Sequence, residues 1–409
     1  MIKIKDQHWR LSVQCTTAAQ LFCITHYAQP RSVQRARARA LSLSLSLSPS
    51  LSHSSSHPHF APDSSTIKRQ FANWTAIQRK VMKLTNLTTN RKGAYTRNPS
   101  KHVGADGATL VIEHDRYHLH VALACPWACG TLSMLQMKGL EDAVTVSVVH
   151  PTWQRTKPDD AADTHCGWVY KAEGDAALSN PLGHGSFECD AALRPDIFTH
   201  AQTVREVYER VGDLEGPFTT PCLVDKKRNV IVSNESMEIL KIFHDDFKPL
   251  HTANLELDLY PADKDAELRA LNDEVIYPHV NNGVYRAGFA RSQDSYDTAV
   301  SGLFTALETL EARLGKMRFL SGDAFSWLDL RLFHTLVRFD PVYTCYFKAN
   351  VKRIEDFPNL LGFMRDVYSI EPIGRSINMQ HVKTHYYTRY DAAPPRTLTG
   401  GVSRRSSAR

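Results

Sequence analysis

The chain has 409 residues, of which 42% are hydrophobic and 22% charged, and its formal net charge is +6. This length accommodates two or three domains with a sizeable core. No apolar run approaches the ~18 residues of a membrane-spanning helix, so no membrane association is expected. Nine Lys and Arg lie in residues 1–70 against two Asp, which leaves the rest nearly neutral. The charge therefore indicates neither a nucleic acid nor an anionic membrane as partner.

Residues 1–92 do not resemble a folded domain. They contain alternating arginines up to Arg39 and a Leu-Ser repeat from Leu41, and they are poor in acids. This composition is typical of a disordered or targeting extension, or of a segment added upstream of a chain that begins at Met82. The eight cysteines are widely spread, which favours free thiols in a reducing compartment. We expect a cytoplasmic protein, or a mitochondrial or plastid one if the extension is a transit peptide.

Regular structure is first predicted at Tyr117. Apolar residues alternate from Tyr117 to Leu123, which indicates a strand. Cys125-Pro126 follows, and then a helical pattern runs to Met137 and is closed by Gly139. With a second strand over 144–149, these elements predict a β-α-β unit.

The next segment is long and contains Gly167-Trp168-Val169-Tyr170. A helix is predicted near Thr203–Val211, a hairpin with strands at 222–224 and 230–232, and another helix from Asn234-Glu235-Ser236. The order β-α-β-α-β-β-α predicts a thioredoxin-like α/β domain over residues 93–250.

From Tyr260 onwards the apolar pattern is helical. Ser326 and Asp329 have the spacing of a capping box before a strongly apolar helix. We expect an all-α C-terminal domain over residues 251–390 and a disordered tail over 391–409.

Cys125 is the strongest candidate for a catalytic residue. It lies where a strand gives way to a helix, and Pro126 suits the first helical position because its missing N–H costs nothing there. Unpaired amides and the positive helix end are expected to lower the pKa of such a thiol. A buried structural cysteine is the simpler alternative.

Two further motifs indicate a peptide-binding site when they are considered together with Cys125. Thr220-Pro221 opens a strand, where thioredoxin-like folds place a cis-proline that leaves backbone free to pair with a peptide. Glu235-Ser236 precedes a helix and suits the ammonium and carboxylate of a γ-glutamyl group, although simple capping would explain it equally.

Ten strings, in chain order, carry a resemblance to one family. They are Arg116-Tyr117-His118-Leu119, Ala124-Cys125-Pro126-Trp127-Ala128, Lys138-Gly139-Leu140-Glu141-Asp142, Ser147-Val148-Val149-His150-Pro151, Gly167-Trp168, Asn234-Glu235-Ser236, Asn281-Asn282-Gly283-Val284-Tyr285 with Ala287-Gly288-Phe289-Ala290, Arg338-Phe339-Asp340-Pro341-Val342-Tyr343, and His385-Tyr386-Tyr387. From about Gly93 to Tyr387 the chain resembles the Xi class of glutathione transferases, the glutathionyl-hydroquinone reductases.

The resemblance implies a glutathione transferase fold, glutathione as co-substrate without a metal, glutathionylated hydroquinones as substrates, and a homodimer. It implies that Cys125 forms a mixed disulfide with glutathione, that Tyr285 donates a proton to the leaving ring, and that Tyr343 and Tyr386 hydrogen-bond the thiolate. The residues that it implies for holding glutathione are Trp168, Phe218, Thr219, Thr220, Pro221, Glu235 and Ser236.

The chain departs from the family pattern mildly at Tyr170, where Phe is usual, and more strongly at two other places. Cys129-Gly130 stands where the family has His-Arg, and a thiol one helical turn from Cys125 is either a second redox group or a small buried side chain. Gly216-Pro217 stands where the family has Gly-Arg, which removes a charge that helps to bind glutathione.

Other site types fit the sequence poorly. His165, Cys166, His184 and Cys189 do not have a usual zinc spacing, and the glycines from Gly104 do not follow a strand as a phosphate loop requires. Two alternatives to the reductase remain: an Omega-like cysteine thioltransferase or dehydroascorbate reductase, and a non-catalytic glutathione-binding protein.

Overall fold

A computed structural model of the protein describes residues 88–104 and 109–388. The expected extension up to residue 87 and the expected tail from residue 391 lie outside the described residues. Residues 88–92 were expected in the extension, but they form a short strand and its turn, and Lys92 O accepts a hydrogen bond from Ser292 Oγ at 2.7 Å. The folded part therefore begins before Gly93.

Eight strands are described. They are β1 (Thr88–Thr89), β2 (Tyr95–Thr96), β3 (Tyr117–Val121), β4 (Val144–Val148), β5 (Gln154–Arg155), β6 (Cys166–Gly167), β7 (Cys222–Asp225) and β8 (Val230–Ser233).

Ten α-helices accompany these strands in the described part of the chain. They are α1 (Pro126–Met137), α2 (Val204–Arg210), α3 (Ser236–Lys241), α4 (Asp265–Leu271), α5 (Gly283–Gly288), α6 (Gln293–Leu314), α7 (Trp327–Leu336), α8 (Pro358–Tyr368), α9 (Glu371–Arg375) and α10 (Met379–Thr388). Wider π-helical turns extend α3 over Ile242–Asp246, join α4 to α5 over Asn272–Asn281, and follow α7 over Phe339–Tyr343.

The central sheet has the strand order β4-β3-β7-β8. β3 runs parallel to β4, with Leu119 opposite Val146, and antiparallel to β7, with Leu119 opposite Leu223. Every residue of β3 is buried, because successive side chains enter the packing on opposite faces of the sheet. This arrangement confirms the predicted thioredoxin-like domain.

One face of the sheet packs against α1 and the helical domain, and the other against α2. Between β4 and α2 the chain forms only the β5–β6 hairpin and isolated bridges, such as the one that joins Val169 to Thr203. The Thr203 side chain then accepts the amide of Glu206 and starts α2 where the sequence predicted a helix.

The C-terminal part is all-helical, as predicted. The long helix α6 buries a stripe that includes Leu303, Leu307 and Leu310. At the start of α7, Ser326 and Asp329 form the expected capping box, with the Ser326 amide donating to Asp329 Oδ2 at 2.8 Å. Within the described residues, no helix is both long enough and apolar enough to span a bilayer.

Candidate active site

A cavity of about 290 Å³ lies between the thioredoxin-like domain and the helical domain. Its wall brings together residues far apart in sequence, from Tyr95 near the start of the described chain to Tyr386 near its end. Of the eleven predicted site residues, ten line it: Cys125, Trp168, Phe218, Thr219, Thr220, Pro221, Glu235, Ser236, Tyr285 and Tyr386. Tyr343 does not, so the structure places it behind this wall.

Cys125 is the N-cap residue of α1 and has extended backbone angles, because β3 ends and the helix begins at this point. Its amide donates to Ala122 O at 2.9 Å, and its carbonyl accepts the amide of Cys129 at 3.0 Å. The thiol donates to Thr220 O at 3.5 Å. The side chain is half-buried, with its sulfur at the cavity wall.

Burial is the largest influence on the ionisation of Cys125, and it raises the pKa of the thiol above its ordinary value. The backbone N–H groups of Ala128 and Trp127 lower the pKa, as the helix start predicts, and so do the charges of Arg338 and Arg97. These contributions do not offset burial, so the lowered pKa expected from the sequence is not found.

Arg338 is fully buried beside the strand end that leads to Cys125. It donates to Leu123 O at 3.1 Å, to Ala124 O at 3.2 Å and to His334 O at 2.8 Å, and it forms no ion pair with a described carboxylate. Its fourth partner is Cys129 Sγ at 3.1 Å. The guanidinium thus fixes the strand-to-helix junction and places an uncompensated positive charge near both thiols.

Cys129 is buried and does not line the cavity. Its thiol donates to Leu123 O at 3.1 Å, and burial raises its pKa. This geometry favours a small packed thiol over a second redox group. The accompanying Gly130 leaves room for a Cβ atom, which would lie 3.7 Å from the His334 ring.

The tyrosine hydroxyls bond to one another rather than to the sulfur. Tyr285 and Tyr386 hydroxyls are 2.7 Å apart, and those of Tyr343 and Tyr386 are 3.3 Å apart. No described hydrogen bond joins any of them to Cys125, so the donation expected from Tyr343 and Tyr386 to the thiolate stays a prediction. Burial raises the pKa of Tyr285 well above its ordinary value, so its hydroxyl keeps its proton.

Another part of the cavity wall has the features expected of a peptide site. The Thr220–Pro221 peptide bond is cis, and the Thr220 carbonyl faces Cys125. Glu235 caps α3 by accepting the amide of Met237 at 3.2 Å, and it also accepts Ser100 Oγ at 2.8 Å.

Aromatic rings complete this wall. Trp168 stacks on His385 with ring centroids 4.5 Å apart, and Phe218 lies 5.3 Å from the ring of His165. The second departure from the family pattern lies here as well, because Pro217 lines the cavity after a second cis bond, Gly216–Pro217.

Several wall residues were not singled out from the sequence. Arg97, Trp127, Tyr277 and Arg331 form a stack in which both guanidinium carbons lie 5.2 Å from the centroid of Trp127. Trp127 was within a quoted motif, but Arg97 comes from a segment without apolar periodicity, and only the folded arrangement brings it to Cys125.

The cysteines and histidines considered for zinc do not form a cluster among the described residues. The potential ligand group found there is instead His118, His120 and Asp196, all buried. The two nitrogens of His118 already contact Thr145 Oγ1 at 2.6 Å and Ser147 Oγ at 2.8 Å, and Asp196 accepts the amide of Thr199 at 3.2 Å. We interpret this group as a polar network beneath the sheet.

Comparisons with known proteins agree with the fold and the cavity described above. Residues 293–366 match the family described as "Glutathione S-transferase, C-terminal domain". The chain is 38% identical over 317 residues to glutathionyl-hydroquinone reductase YqjG of Escherichia coli (strain K12). The aligned region covers 76% of this chain and 87% of the relative.

Two solved structures are similar as well. One is glutathione-bound YqjG, a glutathione transferase homolog from Escherichia coli K-12, with a TM-score of 0.58 and 40% identity over 68% of this chain and 81% of that one. The other is the glutathione-S-transferase Xi from Phanerochaete chrysosporium, with a TM-score of 0.65 and 36% identity over 77% of this chain and 94% of that one.

Proposed function

This chain belongs to the Xi class of the glutathione S-transferase superfamily, the glutathionyl-hydroquinone reductases, and on that premise we propose that it reduces glutathionyl-hydroquinones with glutathione as co-substrate. The products are the free hydroquinone and oxidised glutathione. Cys125 carries the glutathionyl group between the two half-reactions.

One observation carries this proposal: a cysteine at a helix start and a hydrogen-bonded pair of tyrosines line the same cavity. Cys125, Tyr285 and Tyr386 all line that cavity. The thiolate form of a cysteine is a nucleophile, and a protonated phenol is an acid. The nucleophile and the acid that are needed to cleave a carbon–sulfur bond therefore line the same cavity.

In the first half-reaction Cys125 loses its thiol proton to solvent, and the resulting thiolate attacks the glutathionyl sulfur. An S–S bond forms, the bond from sulfur to the ring carbon breaks, and that carbon receives a proton from Tyr285. Tyr386 supports this role, because its hydroxyl lies 2.7 Å from that of Tyr285 and can hold or return the proton. The hydroquinone leaves and Cys125 remains joined to glutathione.

In the second half-reaction the thiolate of another glutathione attacks the mixed disulfide. Oxidised glutathione departs and Cys125 is regenerated as a thiolate, so no other reductant is required.

Glutathione is proposed to lie along the Thr220–Pro221 edge. The Thr220 backbone is placed to pair with the peptide, Glu235 and Ser236 at the start of α3 suit the γ-glutamyl group, and Trp168 and Phe218 cover the ligand. Since the family's arginine is replaced by Pro217, binding here depends on backbone and aromatic contacts.

A direct assay tests the proposal. The protein is incubated with glutathionyl-menadiol and glutathione, and free menadiol is measured by chromatography. Cys125→Ser is expected to abolish turnover, and Tyr285→Phe to reduce it by roughly 10² to 10⁴, the usual contribution of a positioned acid. Cys345→Ser, at an exposed thiol, and Tyr260→Phe, at a buried hydroxyl without a described partner, are the matched controls.

Three results would contradict the proposal. Turnover that persists in Cys125→Ser would show that this thiol is not the nucleophile. Turnover confined to glutathione mixed disulfides would indicate the Omega-like thioltransferase. Glutathione binding without turnover of either substrate would indicate a binding protein.

A further inference from the structure

Arg97 is a cation at the cavity wall that lacks an anionic partner among the described residues. Its guanidinium carbon lies 5.2 Å from the ring centroids of both Trp127 and Tyr285. The Nε group donates to Asn282 Oδ1 at 3.2 Å, which fixes the plane of the guanidinium. The two terminal nitrogens have no described hydrogen bond, and the side chain is exposed at the mouth of the cavity.

This arrangement presents two unclaimed N–H donor groups towards a ligand. A guanidinium held by one bond and two aromatic rings is preorganised, and its remaining donors recognise an oxyanion. Arg97 lies against Tyr285, on the side of the cavity where the ring of the substrate is expected. None of its described hydrogen bonds or ring contacts involves Glu235 or Ser236, where the γ-glutamyl group is proposed to lie.

The chemistry of the proposed function creates an oxyanion at that place. When Tyr285 protonates the ring carbon that bears sulfur, the adjacent hydroxyl loses its proton to solvent and becomes a carbonyl, and Tyr285 regains a proton from solvent. Cys125 then forms the S–S bond, and the electron pair of the broken C–S bond moves into that carbonyl as the ring becomes aromatic again. The product is a phenolate, which takes its proton from water on release.

We propose that Arg97 is a catalytic residue that donates its terminal N–H groups to the ring oxygen adjacent to the carbon–sulfur bond and stabilises the departing phenolate. This inference rests on the proposed function. It defines the substrate class as aromatic thioethers with an oxygen ortho to sulfur, and it distinguishes them from glutathione disulfides, whose cleavage generates no phenolate.

The test compares two substrates that carry the same glutathionyl group. One is glutathionyl-menadiol, and the other is the mixed disulfide of glutathione and 2-mercaptoethanol. Arg97→Gln is expected to lower kcat for the first by roughly 10²-fold, the usual effect of removing one oxyanion donor, and to leave the second within twofold. Arg97→Lys should recover part of the loss, and Arg91→Gln, at an exposed cation of the same segment, is the matched control.

A substrate series adds a measurement that a structural role would not move. Chlorinated hydroquinones form more stable phenolates, so the defect of Arg97→Gln should shrink as the phenol becomes more acidic. A steeper dependence of kcat on phenol acidity in the variant than in the wild type supports the proposal.

Each other outcome overturns it. Equal losses on both substrates would place Arg97 on a glutathione carboxylate, and no loss on either would leave it without a role in catalysis. A defect that does not change with phenol acidity would also refute phenolate stabilisation. Wild-type protein that cleaves the disulfide but no glutathionyl-hydroquinone would refute the proposed function itself, which separates that failure from the failure of Arg97 alone.

Discussion

Acidification is expected to destabilise the fold through His118, a fully buried imidazole in β3. Its two nitrogens contact the Thr145 and Ser147 hydroxyls, which satisfy a neutral ring. Burial is the main reason that its pKa is lowered from 6.5 to about 4. The charge of Asp196 raises this pKa and the charge of Lys226 lowers it. Below pH 6.5 the unfolded chain therefore binds a proton that the folded chain does not.

The sign and size of the effect follow from this difference. The contribution of His118 to stability is complete above pH 6.5 and is lost as the pH falls towards the folded value of about 4. About pH 5 lies roughly 1.5 units below the pKa of the unfolded imidazole. Proton binding by the unfolded chain therefore lowers the free energy of unfolding by ~2 kcal/mol at this pH. His120 and His165 also have pKa values lowered chiefly by burial, to about 3 and about 4, so the whole protein should lose more.

The variant His118→Gln isolates this contribution, because glutamine can bond both hydroxyls and does not titrate. Unfolding free energies are measured by urea titration with tryptophan fluorescence at about pH 7.5 and pH 5. The wild type should lose ~2 kcal/mol more than the variant between the two conditions. His184→Gln, at an exposed histidine, is the control. Equal losses in wild type and His118→Gln would refute the reasoning.

Three further variants address the site and its supports. Arg338→Gln removes the buried charge beside Cys125, so the thiol pKa should rise further, measured by the pH dependence of alkylation; an unchanged profile would exclude this electrostatic effect. Gly288→Ala would bring a Cβ atom into the buried Phe347 ring and should cost ~1–3 kcal/mol in urea unfolding, whereas a neutral effect would show that the ring can move. Ser326→Ala removes half of the capping box of α7 and should lower stability by ~1 kcal/mol, and a thermal melt that matches the wild type would contradict this.

The elements of the fold could be predicted because short-range rules govern them. Alternation from Tyr117 marks a strand since side chains on a strand point to opposite faces, and Ser326 marks a helix start since its hydroxyl satisfies an amide three residues on. Cys125-Pro126 at the junction was visible for the same reason. The motifs shared with the Xi class indicated the type of reaction, which the periodicity of apolar residues does not indicate.

The sequence by itself therefore determined the order of the elements, the position of Cys125 and the family. Only the tertiary structure decided which groups surround that sulfur: Arg97 from the first described segment, Arg338 from the helical domain, and Tyr386 bonded to Tyr285 rather than to Cys125. It also decided the direction of the pKa shift of the Cys125 thiol. Burial raises this pKa more than the backbone N–H groups at the helix start lower it. The physical reason is that desolvation and charge act through space, between residues that can lie as far apart in the chain as Cys125 and Arg338.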